Sequence, residues 1–122
     1  MNQKNEALIA EDHLPTLERL QKCLLKELDI QVSSASDRTE ALRVIAEKRS
    51  ELFLVITDIR MPSATDGNTI AQRAIEEGIP VIIITALPES IYEEVREKCV
   101  TVFKKPIDLM TLLDTVEPLI KK

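Results

Sequence analysis

The sequence predicts an α/β fold, a doubly wound sheet of five parallel strands in the order 2-1-3-4-5 with helices on both faces. Three observations predict it. The runs Leu-Phe-Leu-Val-Ile-Thr at 52–57 and Val-Ile-Ile-Ile-Thr at 81–85 are apolar without alternation and rich in branched side chains, as strands buried on both faces are. Segments with apolar residues at helical spacing separate the strand-like runs, and the short connections between them favour right-handed crossovers in a parallel sheet. The stretch Ile30, Val32, Ser34 instead alternates with polar Gln31 and Ser33, which suits a strand at the rim and selects the strand order.

In chain order, Ala-Leu-Ile-Ala at 7–10 is the first strand, and it delivers Glu11 and Asp12 to its own end. Pro15 opens a helix with Leu17, Leu20, Leu24 and Leu28 as its stripe, proline being harmless where the N–H has no partner. The rim strand follows. Asp37 and Glu40 then form an acidic capping box for a helix to Lys48 whose inner residues are Ala41, Leu42 and Ile45. The third strand runs into Asp58 and is stopped by Met61-Pro62. A polar loop, Ser-Ala-Thr-Asp-Gly at 63–67, leads to a helix with Ile70, Ala71, Ala74 and Ile75 inward and Gly78 as a left-handed cap. The fourth strand ends in Thr85. A fourth helix is expected to turn Ile91, Tyr92, Val95 and Cys99 inward, and a fifth strand at 100–103 ends in Lys104-Lys105-Pro106. The last helix starts near Asp108, buries Leu109, Leu112, Leu113 and Val116, and finishes on Lys121 and Lys122, which complement its dipole.

The chain has 122 residues, enough for one domain that buries a core without disulfides or a structural metal. Its net charge of −5, with no basic cluster beyond short pairs such as Lys104-Lys105, argues against a phosphate-backbone footprint, so no nucleic-acid partner is expected. Phe53, Tyr92 and Phe103 are the whole aromatic set, which leaves no stacking platform for bases. No apolar run suits membrane insertion and the first residues lack the apolar core of an export signal, so the expected location is cytoplasmic. Cys23 and Cys99 lack Cys-x-x-Cys spacing and each falls on a predicted helix, which indicates buried reduced thiols. His13 reads as an exposed residue before a helix, Tyr92 as a packing residue, and Lys104 as an exposed neighbour of Lys105.

In the predicted topology the residues closing strands one, three, four and five share one crevice: Glu11 and Asp12, Asp58, Thr85, and Lys105. Neighbouring carboxylates resist being ionised together unless a cation offsets them, and three carboxylates suit an oxygen-seeking ion such as Mg²⁺. A carboxylate beside that ion can act as a nucleophile toward phosphorus, and Asp58 is the best placed. Lys105 would add positive charge to the transferring group, and Thr85 a hydrogen bond to the product's oxygens.

Glu11-Asp12, Asp58-Ile59-Arg60-Met61-Pro62, Thr85-Ala86 and Lys105-Pro106 together resemble the receiver domain of two-component response regulators, over essentially the whole chain. The resemblance implies phosphoryl transfer to Asp58 from a histidine kinase or histidine phosphotransfer protein. It also implies Mg²⁺ on the acidic pair, Asp58 and the backbone carbonyl of Arg60, and a cis peptide at Lys105-Pro106. The implied switch moves Thr85 and the loop after it inward and changes a partner surface formed by the fourth helix, fifth strand and fifth helix. Residues 1–122 are expected to form a single receiver domain, stand-alone or cut from a larger protein, that is not a turnover enzyme.

Two departures from the family pattern stand out. Val102 occupies the position, three before the lysine, where receivers usually place an aromatic, and Phe103 points to the opposite face. The block after Met61-Pro62 is one residue longer than usual. Arg60 and Leu87 flank the path of water toward the aspartyl phosphate and offer neither carboxylate nor amide, so a long-lived phosphoryl group is expected. A receiver that docks without phosphate is the alternative. A magnesium-dependent phosphatase with an aspartate nucleophile would need acid where Arg60 stands, and a flavodoxin-like cofactor binder would need a phosphate loop where Glu11-Asp12 stands.

Overall fold

A computed structural model describes residues 4–120 of the chain. In order, the elements are β1 (Glu6–Ala10), α1 (Leu14–Glu27), β2 (Gln31–Ala35), α2 (Arg38–Lys48), β3 (Leu52–Asp58) and α3 (Ala64–Glu76). After them come β4 (Val81–Thr85), a single 3₁₀ turn (Glu89–Ile91), α4 (Glu93–Arg96), β5 (Thr101–Lys104) and α5 (Leu109–Ile120). The strands form one parallel sheet ordered β2-β1-β3-β4-β5, as the sequence predicts.

Side-chain alternation along the central strands splits the core into two layers. Leu8, Val55 and Ile83 face α2 and α3, packing with Ala41, Ile45, Ile70 and Ala74. Ile9, Ile56 and Ile84 face the other way and pack with Leu20 and Leu24 of α1 and Leu112 and Val116 of α5. β1, β3 and β4 are buried along their whole length, whereas β2 at the rim is only partly covered. Continuous apolar runs in the centre and an alternating one at the edge therefore mean what the period rules say they mean.

The caps set the helix boundaries. Asp37 accepts a hydrogen bond from the Glu40 N–H at 2.8 Å, and the Glu40 carboxylate accepts from the Ser36 N–H at 3.0 Å. The inner face of α2 is Ala41, Val44 and Ile45; Leu42, expected inside, is half-buried because it lies about 100° round the helix from Ala41. Likewise α5 fully buries Leu112 and Val116 but only partly Leu109 and Leu113. Lys121 and Lys122 lie outside the described residues, as do Met1 to Gln3.

The polar stretch 63–67 is not a loop. The Ser63 hydroxyl caps the Asp66 N–H at 3.2 Å, so α3 starts at once after Pro62 and residues 64–67 are its first turn. The far end of α3 closes as expected on Gly78 at φ 75°, with the Ile79 N–H on Ala74 O at 2.9 Å and the Gly78 N–H on Ile75 O at 3.0 Å.

The fourth helix differs most. It has only four residues, and Tyr92, at φ −130° and ψ 29°, separates it from the 3₁₀ turn. Tyr92 and Val95 are buried as predicted, but Ile91 is exposed, and Cys99 lies beyond the helix end and is half-buried. Two causes act together. Glu89, Glu93 and Glu97 stand four residues apart, like charges that oppose a continuous helix, and no side chain caps either short segment. Cys23, on α1, is also half-buried; both cysteines are free, and burial, first among the influences, pushes both thiols above their usual pKa. β5 begins one residue later than predicted, at Thr101.

Candidate functional site

Asp58 is the last residue of β3 and is almost completely buried. Its Oδ1 accepts the N–H of Arg60, two residues on, at 3.2 Å, the turn-forming bond typical of aspartate at a strand end. Its Oδ2 accepts from the Lys105 ammonium at 2.7 Å. The end of β5, two strands away in the sheet, thus supplies a cation directly to the carboxylate.

Glu11 follows β1 and is fully buried. Its Oε2 accepts the His13 N–H at 3.0 Å. Its Oε1 lies 3.0 Å from Lys105 Nζ without the alignment of a hydrogen bond, so that buried oxygen has charge contact and no directed partner. Burial is the largest influence on Glu11 and lifts its pKa above the ordinary glutamate value; the His13 N–H and Lys105 counter this in part, and the Asp58 charge adds to it. Burial also works against the charge of Lys105, but its contacts with Asp58 and Glu11 outweigh that, and its pKa lies above the usual lysine value. Asp12, next in the chain, is exposed, and Glu11, Asp12 and Asp58 each offer an oxygen within 4.8 Å of the others. An oxygen-only donor set, two members buried and one of them with an undirected oxygen, fits a hard divalent cation.

Thr85 ends β4 and is fully buried. Its backbone oxygen accepts the Lys105 N–H at 3.0 Å, which ties the two strand ends together. Its hydroxyl accepts the Leu87 N–H at 3.0 Å, leaving its own proton available for donation. No hydrogen bond joins it to Asp58 among the described residues. Arg60 contributes its backbone N–H, and its side chain is exposed. Lys105-Pro106 is cis, as the resemblance implies, and so is Met61-Pro62.

Two site neighbours escape sequence reading. The His13 N–H on Glu11 is a main-chain donor and has no residue signature. Lys104 is exposed, as expected, and it also makes two contacts: its Nζ reaches the Leu87 carbonyl oxygen at 2.5 Å and stands 5.6 Å from the centre of the Tyr92 ring. Alternation along β5 puts Lys104 on the side of Val102, a signal present in the sequence. Val102 packs against the layer containing Tyr92, and Phe103 against the opposite one, as expected.

A doubly wound α/β domain with buried acids, a lysine and a threonine at the carboxyl ends of its strands is the class that fold and site define. The chain belongs to the response regulator receiver domain family: the family model "Response regulator receiver domain" matches residues 7–117. It is 27% identical over 117 residues to the two-component response regulator ARR18 of Arabidopsis thaliana, covering 94% of this chain and 18% of that protein. It is 27% identical over 114 residues to the sensor histidine kinase RcsC of Escherichia coli, covering 89% of this chain and 12% of that protein. The chain therefore spans less than a fifth of the length of these two relatives. Among solved structures, the signal receiver domain of an HD domain-containing protein from Pseudomonas fluorescens Pf-5 superposes with a TM-score of 0.84 at 25% identity, over 98% of this chain and 96% of that one. These relatives place the chain within two-component signalling.

Proposed function

We propose that the chain is a phosphorylatable switch in which Asp58 accepts a phosphoryl group from a histidine kinase or histidine phosphotransfer protein. The observation that carries this reading is the contact of Lys105 Nζ with Asp58 Oδ2 at 2.7 Å beside two further carboxylates. An Asp58 oxygen attacks phosphorus, the bond from phosphorus to the donor's imidazole nitrogen breaks, and that nitrogen keeps the electron pair. Lys105 neutralises Asp58 at rest and is positioned to meet the phosphoryl oxygens that the same carboxylate then bears. Thr85 donates its free hydroxyl proton to one of them. Glu11, Asp12, Asp58 and the Arg60 carbonyl are the proposed holders of Mg²⁺, which when bound offsets the negative charge gathered there.

The donor's approach is supported by a cleft of about 420 Å³ beside Lys105, lined by His13, Thr16, Leu20, Pro106 and Ile107, with Leu14 and Met110 exposed. The downstream partner surface is the face formed by α4, β5 and α5. As the whole of this reading concerns a switch, no catalytic turnover is proposed.

Phosphoryl uptake from acetyl phosphate, followed by mass spectrometry while Mg²⁺ is titrated, tests it. Uptake should rise with Mg²⁺ and stop on chelation. Uptake indifferent to Mg²⁺ would remove the metal from the account, and no uptake at any concentration would favour docking without phosphate.

A further inference from the structure

Val102 leaves the face of β5 opposite to Phe103 without an aromatic side chain, yet a buried aromatic ring does stand on that side of the sheet. Tyr92 comes from the joint between the 3₁₀ turn and α4, is only 2% exposed, and belongs to the layer that also holds Ile59 and Met61 from the segment after Asp58. Lys104, on β5, covers it. Lys104 is the register partner of Thr85 on the neighbouring strand, and its ammonium spans from the Tyr92 ring to the Leu87 carbonyl. The Leu87 N–H in turn donates to the Thr85 hydroxyl. Asn68 Nδ2 donates to the Ile91 carbonyl at 3.0 Å and so anchors the residue before Tyr92 to α3. Thr85, Leu87, Lys104 and Tyr92 thus form one continuous chain of contacts.

We propose that Lys104 is a positioning residue that holds the loop after Thr85 in its resting arrangement, and that Tyr92 is the ring whose surroundings change when Lys104 releases that loop. The inference rests on Asp58 being a phosphoacceptor. As the Thr85 hydroxyl moves to donate to a phosphoryl group, the Leu87 N–H that it holds either follows it or is released, and in both cases the loop carrying Leu87 shifts. That shift breaks the bond from Lys104 to the Leu87 carbonyl, a hydrogen bond with a charged donor. The ammonium is also attracted to the electron-rich face of the ring, so movement of either partner alters the other's position. Lys104 therefore biases a two-state equilibrium toward rest, and a ligand that favours the other state must work against it.

Tyr92 is the single tyrosine and the chain has no tryptophan, so tyrosine fluorescence reads this ring alone. Beryllofluoride with Mg²⁺, a non-covalent phosphoryl mimic, is added to wild type, Lys104→Met and Lys104→Arg, with binding followed independently by ¹⁹F NMR. In wild type, Tyr92 emission should change as beryllofluoride binds. Lys104→Met keeps the stem but loses the donor; its resting emission should lie toward the bound value, and it should bind beryllofluoride about three- to tenfold more tightly, the order set by one lost hydrogen bond. Lys104→Arg, which still donates and still stacks on the ring, should restore wild-type behaviour. A purely structural lysine would not produce tighter binding on removal. Bound fluoride without any change in Tyr92 emission, or wild-type affinity in Lys104→Met, would overturn the inference while leaving the phosphoacceptor intact. No bound fluoride in wild type would contradict the phosphoacceptor reading itself and this inference with it.

Discussion

In the proposed switch, Lys105 is the residue on which the chemistry of the site turns. Its ammonium contacts two buried carboxylates at 2.7 and 3.0 Å, and such a cation makes their joint ionisation tolerable in a poorly solvated place. The arrangement also prepares a charge where phosphoryl oxygens would arrive. What it lacks is a group to guide water afterwards: Arg60 is exposed, and Leu87 is half-buried and packed against the core layer. The phosphoryl group on Asp58 should consequently persist for minutes or longer in Mg²⁺ buffer without a phosphatase. Following the decay of purified phosphoprotein checks this, and loss within seconds would contradict it. At this scale the sequence is most informative where side chains carry the proposed chemistry, as at Asp58 and Lys105. It is silent where the main chain does, as at the His13 N–H, and it understates Lys104, whose two contacts depend on a loop geometry that no local pattern encodes.

Among the elements, α3 governs the loop that carries Asp58's neighbours. Gly67 sits in its first turns facing Ile59, and a Cβ there would stand 1.9 Å from the Ile59 carbonyl oxygen, a backbone atom that cannot swing aside. Gly67→Ala should therefore cost about 1–3 kcal/mol of stability, as overpacking does, and slow phosphoryl uptake by displacing the segment after Asp58. Urea unfolding measures the first effect, and a loss below about 0.5 kcal/mol would show that the helix moves away freely. The same glycine explains why the stretch 63–67 reads as a loop: serine, threonine, aspartate and glycine are turn formers by composition, and only the Ser63 cap reveals a helix start. The short α4 has the opposite cause. Its apolar spacing is helical, but acidic residues four apart and the lack of a side-chain cap on either short segment keep the helix short, and periodicity does not register repulsion.

In the molecule as a whole, the two ends of the sheet carry different polar clusters. At the end away from Asp58, Glu6 of β1 is buried and accepts hydrogen bonds from the Ser33 hydroxyl and, at 2.9 Å, from Lys48, joining β1, β2 and the last turn of α2. Burial alone would raise the Glu6 pKa, but the Ser33 and Lys48 bonds outweigh it and hold it below the ordinary glutamate value. Since the unfolded chain then takes up the proton first on acidification, the stability from this cluster is complete above the unfolded glutamate range and is lost as pH falls through the folded value. The stability gap between wild type and Glu6→Gln should narrow as pH is lowered from neutral through the carboxylate range; a gap independent of pH would contradict the assignment. The overall topology is legible because three central strands carry unbroken apolar runs and one rim strand alternates, so burial and strand order follow from two periods. Convergence of the acids, the threonine and the lysine follows from that topology, whereas the distances that let Lys105 bridge Asp58 and Glu11 come only from the folded chain. The central claim, that this crevice phosphorylates Asp58, is tested most directly by treating wild type and Asp58→Asn with acetyl phosphate and Mg²⁺ and measuring acid-labile phosphate by intact mass. Wild type should gain one phosphoryl group and Asp58→Asn none; equal gain in both, or none in either, would contradict the account.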